Sequence, residues 1–439
     1  MRFSAAYAVL AWMLVLTWAT PGRAADLAHE LADLLRDHPQ IRAESKGVDS
    51  SREGVNRTFS DYLPRVRVTG DIGPESVDNP TTRGRGPDPY RRLSSAGGIS
   101  VTQNLFNGFA TSSAMRSAEL GVEIARLTLE GTQQQVLFEG IRAYLDVLRQ
   151  QRLITLSRRN EQTIQRQLNL EDARVQRGSG IAVDVLQAKS RLQLARERRI
   201  TFEGALADAV TRYTQVYGHA PDLAAMVDPQ PPVAEIPPTL DAATDVALEE
   251  NPSVSNAGSQ TEAARERKRA VRSEYYPSLD LVGEANYEKD KDAVRGTRRD
   301  YSVLLKAEWD LFTGLSTRAG VAQATHDYLA RKDREELVRR KVIEQVGLAW
   351  QALLTARDRL DLLDNAVNIA AAVHDSRKKL REAGKETVIN VLDAENEIFN
   401  AEINYTAAAY DERSAVYQLL LSMGRLTATR LDLPAPSDG

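Results

Sequence analysis

"RGSGIAVDVLQA" occupies residues 177–188 and "AGKETVINVLDA" occupies residues 383–394. The two phrases lie 206 positions apart and share Gly178/Gly384, Val185/Val391, Leu186/Leu392 and Ala188/Ala394. Both sit deep in sequence without proline. The 17 prolines fall at Pro21, within 39–89, within 221–252, at Pro277, and at Pro434 and Pro436. Proline breaks helix interiors, so 90–220 and 278–433 are free to be helical over long distances. A glycine at the end of such a run supplies the positive φ that stops a helix sharply. Each phrase therefore predicts the tip of a helical hairpin, with turns at 178–182 and 384–388. A long outgoing helix (about 110–176 and 316–382) precedes each turn and a return helix (about 183–217 and 389–423) follows it. Leu137, Ile141, Tyr144 and Leu148 recur at helical spacing in the first outgoing run. Val342, Val346, Ala349 and Leu353 do so in the second. Such a run is on the order of 100 Å long. Its narrow apolar stripe requires partners packed as in a coiled coil.

The repetition extends beyond the turns. "HPQI" (38–41) matches "NPSV" (251–254), and "YLP" (62–64) matches "YYP" (275–277), both at an offset of 213. "NLFNG" (104–108) matches "DLFTG" (310–314), Tyr144 falls on Trp350, and Gly218 falls on Gly424, all at 206. The chain is an internal duplication. Its parts are a first repeat at 25–218, a proline-rich linker at 219–238, a second repeat at 239–424 and a tail at 425–439. Each repeat opens with a helix, expected over 26–58 and 240–273.

Between that helix and the long rod, each repeat carries period-two sequence. Val66, Val68, Gly70 and Ile72 alternate with Arg65, Arg67, Thr69 and Asp71; Leu279, Leu281, Gly283 and Ala285 form a second such series. Ile99 and Val101, and Val303, Leu305, Ala307 and Trp309, are placed alike on the returning strands. This predicts half-buried strands in β-hairpins at 64–106 and 277–311. Ten or eleven residues suit a tilted strand crossing a bilayer, and Tyr62, Phe106, Tyr275, Tyr276, Tyr287, Trp309 and Phe312 cluster near strand ends. Two soluble hairpins are the alternative reading of the same strands. The polar connections 74–96 and 288–300 are expected to face outward.

Composition narrows the classes. The 57 basic and 61 acidic residues show no bias toward nucleic acid, and the absence of cysteine excludes disulfides, thiolate metal sites and an acylated N-terminal cysteine. Residues 1–24 read as a signal peptide: Arg2, an apolar core fifteen residues long at 5–19, and small Gly22 and Ala24 before the cut. No later segment is apolar enough for a membrane helix, so a membrane form must be a barrel. Four strands cannot close one, and an open edge in lipid is forbidden. Three chains supply twelve.

This order of elements resembles the TolC family of outer-membrane efflux and secretion ducts. The resemblance rests on "YLP"/"YYP", "LFNG"/"LFTG", the two turn phrases and the closing "YQLLLSMGRL" (417–426). It implies a mainly α fold with membrane β, a homotrimer whose twelve-stranded barrel continues into a helical tunnel across the periplasm. The partners it implies are outer-membrane lipid, a periplasmic adaptor and an inner-membrane ABC or RND transporter, with no cofactor. The strand-boundary residues are then Pro64, Pro277, Phe106, Gly108, Phe312 and Gly314, and the tips Gly178 and Gly384. The entrance positions fall on Asn390 and Asp393, with first-repeat equivalents Asp184 and Gln187. Asn390 stands where relatives often carry aspartate, and Lys385 and Glu386 depart from a basic latch residue found in some of them. Capping of a helix N-terminus is the other reading of Asp184 and Asn390.

Enzymatic readings find no support. His29, His38, His219, His326 and His374 make no ligand spacing, and "GRGPDP" (84–89) leads into no phosphate-binding helix. An exported coiled-coil structural protein is a remote alternative. Between a drug-efflux duct and a type I secretion duct, the "LLSMGRL" ending and the missing N-terminal cysteine favour secretion.

Overall fold

The computed structural model describes residues 27–78, 80, 90–179 and 181–434. The signal-peptide expectation at 1–24 and most of the first outward loop lie outside these residues. Each repeat opens with two helices where the sequence predicted one: α1 (Leu27–Asp37) and α2 (Pro39–Phe59), then α5 (Leu240–Glu250) and α6 (Pro252–Arg272). Pro39 and Pro252 cause the split. The residue before a proline is pushed out of the helical region, and His38 (ψ 127°) and Asn251 (ψ 120°) are extended. Asn251 turns this break into a cap, its side chain accepting from the Ser253 amide at 2.8 Å.

The strands are β1 (Arg65–Val77), β2 (Tyr90–Asn107), β3 (Ser278–Lys289) and β4 (Thr297–Glu308), in one antiparallel sheet of order β1-β2-β3-β4. The β2–β3 pairing joins the two repeats. All four strands run further into the connections than expected, with Val77 opposite Tyr90 and Lys289 opposite Thr297. Backbone pairing needs no apolar side chain, so the ladder outlasts the period-two pattern. β4 also stops short of Trp309, whose indole N–H donates instead to the Tyr275 carbonyl (3.2 Å).

Register sorts the sheet into two faces. Val66 lies opposite Val101 and Val68 opposite Ile99; Ile99 then pairs with Ala285, Leu281 with Leu305 and Gly283 with Val303. This face is apolar yet open, Val68 being 72% and Val303 78% exposed. The reverse face carries Arg65, Arg67, Thr102, Asp280, Glu284 and Lys306, interrupted by Val282 and Leu304. There Asn104 donates to Asp280 across β2–β3 (2.8 Å). An apolar outer and polar inner face is the pattern of a barrel wall in lipid.

The strand-to-helix junctions explain "LFNG" and "LFTG". Gly108 (φ +64°) and Phe109 (+69°), and equally Gly314 (+65°) and Leu315 (+71°), are consecutive left-handed residues. A Cβ on Gly108 would stand 2.5 Å from the Ser273 carbonyl oxygen, so glycine is required there twice over. The helices that follow are α3 (Ala110–Gln176) and α4 (Ala182–Tyr217), then α7 (Ser316–Glu382) and α8 (Val388–Met423). Every boundary of the second pair is that of the first plus 206. At 67 residues, α3 and α7 each span about 100 Å.

The main core lies partway along the rods, where α1 and α5 pack on them. Leu137, Ile141, Tyr144, Val346, Leu353, Leu419 and Leu420 are all at most 2% exposed. The Tyr144 hydroxyl fastens the linker to this core, donating to the Val227 carbonyl (3.0 Å) and accepting from its amide (2.9 Å). A second, smaller cluster packs near the hairpin tips: Ile164 and Leu168 of α3, Val185, Ala188 and Leu192 of α4, and Val388 and Leu392 of α8. Among the described residues, no helix is long and apolar enough to cross a membrane.

Candidate functional site

The tips are closed by backbone hydrogen bonds. After α3, the Gly178 amide donates to the Val175 carbonyl (2.9 Å) and Ser179 to Arg174 (3.0 Å). After α7, Gly384 donates to Arg381 (3.0 Å) and Lys385 to Leu380 (2.9 Å). Each pair is a Schellman motif, with Gly178 at φ +74° and Gly384 at +72° in its left-handed position. Nothing lies within 4 Å of a Cβ at either glycine, so conformation alone selects the residue.

Neither Asp184 nor Asn390 caps its helix. Both occupy the first turn: the Asp184 amide donates to the Ile181 carbonyl. In α8 the cap is Thr387, whose Oγ1 accepts from the Asn390 amide (3.4 Å). The Asn390 side chain reaches back to Glu386, whose Oε1 also accepts from the Thr387 amide (2.9 Å). These donors, Asn390 first, hold the Glu386 carboxyl below the usual carboxylate range. The Glu386–Thr387–Asn390 set thus fixes the start of the return helix. Arginines brace it: Arg377 donates to the Asn390 carbonyl (2.9 Å) and Arg381 to that of Glu386 (3.2 Å). Arg381 also pairs with Glu171 of α3 (3.1 Å), a carboxylate almost fully buried and shared with Arg174 (2.9 Å). Burying that charge is tolerated because two guanidinium groups meet it, and the bridge ties one hairpin to the other.

Asp393 and Gln187 line one groove of about 560 Å³ between α4 and α8, with Arg191, Arg198, Asn160 and Asn396. Asp393 is ion-paired with Arg191 across that groove. Arg198 donates to Asn400 (2.9 Å) and lies over the Phe399 ring at 5.8 Å. Asp184 lies outside this set, one turn nearer the tip. Sequence reasoning missed Arg191, Glu171 and Thr387. Arg191 stands one turn beyond Gln187 in the first repeat, but its partner is in the second, and only the adjacency of α4 and α8 joins them.

A four-stranded membrane wall leading into long paired helical hairpins defines a channel protein of an outer membrane. The outer membrane efflux protein family matches residues 31–219 and 243–425, and the chain belongs to it. It is similar to the outer membrane efflux protein BepC of Brucella suis, 26% identical over 93% of this chain and 87% of that one. It is also similar to the alkaline protease secretion protein AprF of Pseudomonas aeruginosa, 24% identical over 91% and 85%. The solved outer-membrane channel OprN shares the fold with a TM-score of 0.76 at 19% identity, over 91% of this chain and 89% of that one. The protein therefore resides in the bacterial outer membrane, its helices on the periplasmic side.

Proposed function

We propose that three copies of this chain form a passive export duct, a twelve-stranded barrel continuous with a tunnel of helical hairpins. The observation that carries this is the sheet: four strands, an apolar outer face, and unpaired edges at β1 and β4. In lipid those edges must be satisfied by strands of neighbouring chains. The tips of α3/α4 and α7/α8 then form the periplasmic entrance, with Asp393, Arg191 and Gln187 near the axis and Asn390 and Asp184 at the rim. The partners are a periplasmic adaptor and an inner-membrane transporter of the ABC or RND type. Cargo is a secreted protein, as in type I secretion, a reading supported by the likeness to AprF. Small-molecule efflux is the second reading, supported by the likeness to BepC. Crosslinking of intact outer membranes should give a three-chain species; a monomer as the largest product refutes the duct. Deleting the gene should remove one or more proteins from the culture medium without altering susceptibility to dyes and antibiotics. The opposite pattern assigns the duct to efflux.

A further inference from the structure

A pocket of about 400 Å³ lies between the start of α3 and the end of α6, immediately below the sheet. Arg116, Arg269 and Arg272 line it, with Ser112, Phe109 and Tyr276. Its one acid, Glu266, is buried and already paired with Arg269. Arg116 and Arg272 are exposed, so the pocket carries a net positive charge of about two.

The pocket faces outward. A neighbouring cavity on the polar side of the sheet, lined by Arg65, Arg67 and Asp280, takes Ala110, Thr111 and Ala114 from α3. The pocket takes Ser112, Ser113 and Arg116. At about 100° per residue these sets lie on opposite sides of the helix. The basic pocket thus shares its side with the apolar face. Exposed aromatics mark the level of the bilayer boundary beside it: Phe109 (64%), Tyr276 (48%) and Trp309 (58%). Because α3 and α6 hang from β2 and β3, the two middle strands, the site is complete within one chain.

The duplication shows that the local turns do not need these arginines. At the duplicate positions in the other repeat, Arg116 becomes Ala322, Arg269 becomes Asn56 and Arg272 becomes Phe59. The turn after α2 (60–62) and the left-handed turn before α7 (Gly314–Leu315) nevertheless match those after α6 (273–275) and before α3 (Gly108–Phe109), with none of the three charges.

We infer that this pocket binds the phosphodiester headgroup of an anionic phospholipid in the periplasmic leaflet, one per chain. Arg116 and Arg272 hold the phosphate, Ser112 donates a hydroxyl, and Phe109 and Tyr276 lie along the glycerol and upper acyl chains. Guanidinium groups suit phosphate oxygens, and a basic residue at a membrane surface favours anionic lipid. The inference rests on the outer-membrane placement of the sheet and extends it to a specific lipid contact.

The test is native mass spectrometry of the full-length protein, delipidated in detergent and titrated with dioleoyl phosphatidylglycerol or dioleoyl phosphatidylethanolamine. One phosphatidylglycerol per chain should bind ahead of any phosphatidylethanolamine. R116Q/R272Q should weaken it about thirtyfold, at roughly fivefold per arginine. R272K should stay within a few-fold of the parent, and R65Q, on the opposite face, should change nothing. Equal binding of the two lipids overturns the proposal, as does unchanged binding in assembled R116Q/R272Q. Displacement of the lipid by millimolar inorganic phosphate overturns it too, by showing a free-anion site. If R116Q/R272Q fails to assemble, lipid preference and phosphate competition on the parent protein decide alone. The same spectra report chain number, so failure of the trimer is read separately from failure of the lipid site.

Discussion

Removing one end of the Arg191–Asp393 pair at a time tests what the groove between α4 and α8 does. The pair is half-open to solvent, the side chains being 26% and 45% exposed. Two unit charges about 4 Å apart attract by about 1–4 kcal/mol for an effective dielectric between 80 and 20. Screening and the cost of ordering two long side chains leave about 1 kcal/mol or less. Either single substitution is therefore expected to leave the channel assembled. Its effect is on charge. Asp393→Asn leaves Arg191 uncompensated and adds about one positive charge per chain beside the axis; Arg191→Gln adds one negative charge. Within a Debye length of about 10 Å at 0.1 M salt these charges act on passing ions. In a planar bilayer under a KCl gradient, D393N should move the reversal potential toward anion preference. R191Q should move it toward cation preference, and R191Q/D393N should return it close to the parent. A shift of the same sign from both single variants, or no shift from either in an assembled channel, refutes placement of the pair at the axis.

Gly384→Ala should cost roughly 1 kcal/mol, because only its left-handed backbone resists. Gly424→Ala should cost more and lower the yield of assembled protein: at φ +79° it also meets the Asn251 Cα and Glu250 carbonyl oxygen, each 2.7 Å from its Cβ. Thermal melts of both variants in detergent give the comparison, and equal losses count against it. Tyr144→Phe removes the hydroxyl that both donates to and accepts from Val227. It should cost about 1–3 kcal/mol and show as faster proteolysis within 219–238. The tail is held by Glu250, which pairs with Arg425 (2.7 Å) and Arg430 (3.0 Å). The hydrogen bond from Arg425 holds the Glu250 carboxyl below its ordinary value of 4.5. Its contribution is present in full above that value and is lost as pH falls through the lower, folded value. Amide protection factors in 425–434, the exchange rates corrected for the intrinsic rate at each pH, should therefore fall in acid for the parent and much less for Arg425→Gln.

The rods and their reversals were legible because two independent signals coincide. Proline is absent over each helix, and a glycine stands where each must end. The strands were legible because one face must be apolar, and their register follows the alternation. Their outer ends were not, since residues 90–96 obey the ladder without any apolar pattern. The breaks at His38 and Asn251 were available from the prolines that follow them, but the helical composition on either side obscured them. The groove was less legible. Asp393 and Arg191 belong to different repeats and are joined only by helix packing. Thr387 lost its capping role, on paper, to Asn390 three residues later. A hydroxyl and an amide serve equally well as caps, and only the turn geometry chooses between them.

The open edges of the sheet also constrain how the protein is made. β1 and β4 each present a row of unsatisfied amides and carbonyls, tolerable in water and costly in lipid. A lone chain therefore has no stable resting place within the bilayer. Association must precede insertion or accompany it, so the rate of biogenesis should depend on the concentration of unassembled chains in the periplasm. That dependence makes the β1–β4 seam a step at which a defective copy can poison the assembly of normal ones.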